Sequence, residues 1–125
     1  FKNNVTPSAG NTATSALGSG GSFGECQDPA DFDNASDGTT TASTGNKPSF
    51  TTAATADNSI SNAAAKAEFT MNGTLTVYGA FLSDVADCAD ASGAKLLCAK
   101  RFSSSRAVVD GDILSVQVTI TLTSA

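Results

Sequence analysis

The chain has no histidine and no tryptophan, and among its 125 residues it has one tyrosine, one methionine and three cysteines. Without histidine, Ser-His-Asp and Cys-His relays and histidine-bound metal sites are excluded. Cys26, Cys88 and Cys98 lack the Cys-x-x-Cys spacing on which a zinc site is built. Cations are scarce too: seven Lys and Arg against twelve Asp and Glu leave a net charge of −5 and a pI near 4.3. They are scattered along the sequence, so the basic stripe that neutralises a phosphate backbone is not expected, nor is direct nucleic-acid binding. No apolar run approaches the ~18 residues of a membrane-crossing helix, and no basic-plus-apolar start resembles a signal peptide. A soluble protein with no membrane partner is the expectation. The opening Phe1-Lys2-Asn3-Asn4-Val5 reads as the interior of a longer sequence.

The length suits one domain. Although 40% of the residues are hydrophobic, many are alanine, and seven phenylalanines make up most of the aromatic content. A thin core is therefore expected, with its large apolar side chains mostly after position 67. The first sixty residues are rich in Thr, Ser, Ala, Gly, Asn and Asp, a composition that burial alone holds poorly in an isolated monomer. Residues 1–57 read as a strand fragment plus long polar loops and extended segments, and residues 58–125 as an antiparallel β core of the same domain.

Residues 1–6 suggest the end of a strand, broken at Pro7. Residues 8–47 look irregular, with linker chemistry at Gly18-Ser19-Gly20-Gly21-Ser22 and a polar low-complexity run from Thr39 to Gly45. Between these lie Phe23 and Phe32, two aromatics suited to anchoring a long loop on a sheet. From Asn58 to Ala65 a turn followed by a strand is preferred to a helical turn. A period of two then begins, with Ala67, Phe69, Met71, Leu75, Val77, Gly79 and Phe81 on one face. At Asn72-Gly73 the dipeptide favours a type I′ hairpin or a sharp bend, and the unbroken parity favours one long bulged strand. The hairpin or bend is preferred.

After the acidic loop from Ser83 to Gly93, Lys95 to Phe102 reads as a strand, Ser103 to Arg106 as a turn-like break, and Asp110-Gly111-Asp112 as a turn. The clearest strand follows: Leu114, Val116, Val118, Ile120 and Leu122 alternate with Ser115, Gln117, Thr119, Thr121 and Thr123. One face of it is expected in the core and the other in water. Several short strands separated by Gly and Asp turns predict an all-β fold, an antiparallel β-sandwich or jelly-roll-like barrel with a long irregular N-terminal segment.

Sites for chemistry are few. The carboxylates lie mostly in loops, where two are hard to hold at a working separation, so no catalytic residues and no enzyme activity are expected. Asp28, Asp31, Asp33 and Asp37 have the oxygen ligands a calcium ion takes, but no EF-hand register. Solvated acidic loops are the favoured reading, with no metal or other cofactor. Asp84, Asp87 and Asp90 raise the same question more weakly. Gly18-x-Gly20-Gly21 lacks the Lys-Ser/Thr of a phosphate loop. Cys88 and Cys98 bracket a loop and the start of a strand, a placement that allows a disulfide across a hairpin. Arg101 and Arg106 suit acidic groups on a neighbouring chain, and with Phe23 and Phe32 they are the interface candidates.

Three stretches carry a resemblance: Phe1-Lys2-Asn3-Asn4-Val5-Thr6-Pro7; Ala65 to Asn72 followed by Val77-Tyr78-Gly79-Ala80-Phe81-Leu82; and Ala107-Val108-Val109-Asp110-Gly111-Asp112-Ile113-Leu114-Ser115-Val116. Their order resembles a loosely defined family of small bacteriophage virion structural proteins, mainly over residues 64–122. Residues 15–55 depart from it. The resemblance implies a virion component on the capsid exterior, a head-decoration or cement protein with the major capsid protein as partner, self-associating as a homotrimer. A tail- or fibre-associated host-adhesion module is the alternative, and a secreted bacterial β domain a third class. The resemblance supplies no catalytic residue.

Overall fold

Period-two patterning becomes eight antiparallel strands in the computed structural model, which describes residues 1–17, 21–26, 31–33, 48–52, 54–56, 58–84 and 95–123. The strands are β1 (Phe32–Asp33), β2 (Ala54–Ala56), β3 (Ser59–Ser61), β4 (Ala67–Met71), β5 (Leu75–Ser83), β6 (Leu96–Val108), β7 (Ile113–Val116) and β8 (Thr119–Thr121). They form three small sheets in the orders β1-β4-β7, β2-β3-β8 and β5-β6. The expected all-β antiparallel class is present, and among the described residues no sheet closes on itself.

The segment from Asn72 to Thr74 is the sharp bend, not a hairpin. β4 pairs with β1 and β7, whereas β5 pairs with β6, so the chain leaves one sheet there and enters another. Parity survives the bend because both sheets face the same interior: Met71 and Val77 are buried in one cluster.

Two expectations for the C-terminal half are corrected. Ser103 to Arg106 does not end a strand, since β6 runs through it for 13 residues. The irregularity is instead a bulge: Val77 pairs with Arg106 and Gly79 with Arg101, so Tyr78 alone faces Phe102 to Ser105. The final strand, expected to be continuous, is two strands. β7 pairs with β4 and β8 with β3, and the crossing falls at Gln117 and Val118. In and out still alternate from Leu114 to Thr121, but Leu122, expected in the core, is 74% exposed beyond the last pairing.

The core is also distributed differently from the expectation. Six of the ten buried hydrophobic residues described, Phe1, Ala13, Ala16, Leu17, Phe23 and Phe32, precede residue 34. A four-residue helix, α1 (Ala13–Ala16), lies in the segment expected to be irregular. Thr12 starts it: its hydroxyl accepts from the Ser15 N–H at 3.2 Å, and the Thr12 N–H donates to the Ser15 hydroxyl at 3.0 Å. The Phe23 N–H donates to the Ala16 carbonyl at 3.0 Å, folding the following turn back on the helix.

These residues build the first core cluster, of Phe1, Ala13, Ala16, Leu17 and Phe23, against Phe81 and Leu96 of the β5-β6 sheet. Burying one such phenylalanine contributes about 1.5–3 kcal/mol. The second cluster joins Phe32 and Met71 of the β1-β4-β7 sheet to Val77 and Val108 of the β5-β6 sheet, with Phe69 set edge-on to Phe32 at 5.2 Å.

Candidate functional site

β6 is the longest strand and has one neighbour, β5; among the described residues no strand pairs with its far side. Its sequence explains why it stays at an edge. From Lys95 to Val109 there are four cations, Lys95, Lys100, Arg101 and Arg106, and no acid. Charged side chains on an edge strand resist burial under a further strand of like charge. All four are exposed. Three of the seven cations thus lie on β6 and a fourth, Lys95, just before it, leaving −9 on the rest of a chain whose net charge is −5.

Arg101 and Arg106, proposed for an interface on sequence grounds, both stand on this strand. The Arg101 guanidinium carbon lies 5.8 Å from the centre of the Tyr78 ring, a cation–π placement that steadies the side chain. A second register shift falls between Leu82, paired with Cys98, and Ser83, paired with Leu96. Leu97 is the extra residue, and it is 63% exposed.

Phe23 and Phe32 are placed inside the chain. Phe23 stacks against Phe1 at 4.9 Å and Phe81 at 6.4 Å, and Phe32 packs on Phe69, so both anchor their segments to sheets and leave little ring surface for a partner.

Of the calcium candidates, Asp28 and Asp37 lie outside the described residues, as does the side chain of Asp33. Asp31 is buried, and Lys2 Nζ donates to its Oδ2 at 2.7 Å and its Oδ1 at 3.0 Å. The ammonium already neutralises this carboxylate, which weakens its pull on a further cation. Among the described residues no three His, Cys, Asp or Glu side chains gather as a metal site. Cys88 lies outside the described residues, as do Asp87 and Asp90; Cys98 is an exposed free thiol on β6.

Between the two core clusters lies a cavity of about 380 Å³ walled by Phe32, Phe50, Phe69, Phe81 and Phe102, with Cys26 at its side. Its size suits a small ligand or an apolar side chain. Burial pushes the Cys26 thiol above its ordinary value of 9.0, which keeps it protonated and a poor nucleophile.

Sequence reasoning missed Asn62. It is 0% exposed and sits where the final strand changes sheet. Its Nδ2 donates to the Val116 carbonyl at 3.2 Å, its Oδ1 accepts from the Val118 N–H at 2.7 Å, and its own N–H donates to the Val118 carbonyl at 3.3 Å. One side chain thus replaces the ladder bonds lost between β7 and β8. No local pattern marks it, because the partners are more than fifty residues away.

Compared with protein-family models, curated proteins and solved structures, the chain matches none.

Proposed function

We propose that the chain is a non-catalytic bacteriophage virion component, a head-decoration or cement protein that bridges major capsid protein subunits on the capsid exterior. The observation carrying this reading is the unfinished margin of the sheets. Leu97, Val109, Ile113 and Leu122 stand 63%, 52%, 63% and 74% exposed, beside a described core of ten buried hydrophobic residues. Large apolar side chains at the margins of thin sheets suit a subunit completed by its neighbours. The virion assignment itself rests on the resemblance over residues 64–122. The second core cluster, shared by the β1-β4-β7 and β5-β6 sheets, supports a sandwich over a barrel.

Mass spectrometry of heads and tails separated from gradient-purified particles tests the reading. The protein is expected with the heads; its absence from shells together with enrichment on tails contradicts it. The phenylalanine-walled cavity favours a second reading, a tail- or fibre-associated host-adhesion module. Binding of the purified protein to host cells, without affinity for expanded empty capsids, would select that one.

A further inference from the structure

β6 carries opposite chemistries at its two ends. Near its start the bulged Leu97 has Lys95 on one side along the chain and Lys100 and Arg101 on the other; the Lys95 N–H donates to Asp84 Oδ1 at 2.6 Å, and among the described residues none of the three cationic side chains forms a salt bridge. Just past its end, the turn into β7 presents Asp110 and Asp112 between the exposed Val109 and Ile113. That turn is firmly held. The Asp112 N–H donates to the Val109 carbonyl at 3.1 Å, Gly111 takes φ 84°, and the Gly111 N–H donates to the Met71 carbonyl at 2.8 Å.

One patch is an exposed leucine on a strand rich in cations, the other two aliphatic residues flanking acids. They are complementary in charge and alike in apolar content, the pairing that steers and fixes protein contacts. A strand of this length keeps them roughly 30 Å apart, allowing for its bulges, so a molecule cannot close the contact on itself.

We propose that the cationic start of β6 in one copy docks on the Asp110-Asp112 turn of a second copy of this chain. The contact joins different patches, so it is heterologous and builds a ring when its rotation closes. This rests on the structural-protein reading and gives a physical route to the self-association that the resemblance implies. The salt bridge expected is Lys100 to Asp110 of the next copy, beside a Leu97 contact with Val109 and Ile113; Arg101, on the opposite face of the strand, adds longer-range attraction.

Sedimentation velocity of the full chain over a concentration series, at low and at high salt, tests the contact. Self-association is expected at low salt and is expected to weaken as salt rises. K100E/R101E and D110K should each weaken it by at least about tenfold, since each sets like charges face to face. A mixture of the two variants, or one chain carrying all three changes, should restore it. Unchanged thermal melts for each variant show that the fold is intact. A chain that stays monomeric at low salt, or associates without regard to these reversals, overturns the proposal. A monomer that still co-purifies with heads overturns this contact alone and leaves the decoration role standing; an oligomer absent from heads does the reverse.

Discussion

The Val118 N–H donates to Asn62 Oδ1 at 2.7 Å, at the point where the last strand passes from the β1-β4-β7 sheet to the β2-β3-β8 sheet. The turn from Asn62 to Ala65 makes the matching change between β3 and β4, so Asn62 ties both crossings together. Removing its amide strands a buried acceptor, the Val116 carbonyl, at about 1–3 kcal/mol, and a half-buried donor, the Val118 N–H, at about 1 kcal/mol. Asn62→Ala is therefore expected to lose about 2–4 kcal/mol in urea unfolding, from the same two groups. Asn62→Asp sets a carboxylate oxygen against the Val116 carbonyl, so its loss should be larger at pH 7 than at pH 4, where the protonated acid can donate.

Gly79 is where the first residue of the chain reaches β5. The Phe1 nitrogen donates to the Gly79 carbonyl at 2.8 Å and the Tyr78 N–H to the Phe1 carbonyl at 2.9 Å. A methyl group on Gly79 would strike the Phe1 ring and the Lys100 carbonyl. Gly79→Ala should cost about 1–3 kcal/mol, and amide exchange should show it as faster opening at Lys2, Asn3 and Tyr78.

The alternation along β7 fixes a pair of contrasting outcomes. Val116 is buried and Gln117 exposed. Val116→Asp should abolish soluble folded protein, because a carboxylate there has no partner in an apolar interior. Gln117→Asp should change stability by no more than about 0.5 kcal/mol. Thermal unfolding compares them directly, and similar losses in both would contradict the assignment of faces.

The two described thiols should differ in reactivity. Cys98 is exposed, whereas burial raises the Cys26 thiol above 9.0. In peptide mapping after maleimide labelling at pH 8, Cys98 should react at least about tenfold faster than Cys26. A raised value in the fold means that the protonated thiol's contribution is full below 9.0 and is lost as pH rises through the folded value. Between pH 8 and pH 10.5 the wild-type urea midpoint should therefore fall further than that of Cys26→Ala.

Much of the β core was legible because period two survives wherever one face is buried, as at Ala67 to Phe81 and Leu114 to Ile120. The Asp110-Gly111-Asp112 turn was legible because Gly111 accommodates its positive φ. What stayed hidden depends on distant partners. Polar residues surround Phe1 and Phe23, so no local period marks them as core, yet they meet at 4.9 Å. Ser103-Ser104-Ser105 looks like a turn because serine suits turns, and it lies in a strand because β5 sets a single residue, Tyr78, against that stretch. The sequence names Arg101 and Arg106 but not the continuity of β6 that places them on one strand with Lys100.

A protein that stabilises a viral head by joining its subunits, as proposed, should raise the head's resistance to heat. Purified heads lacking the protein, heated with and without saturating amounts of it while DNA release is followed by dye fluorescence, test this most directly. Binding to the shell and release at a higher temperature are expected when the protein is present. Heads that fail to bind it, or that bind it and release DNA at an unchanged temperature, would rule out a cementing role.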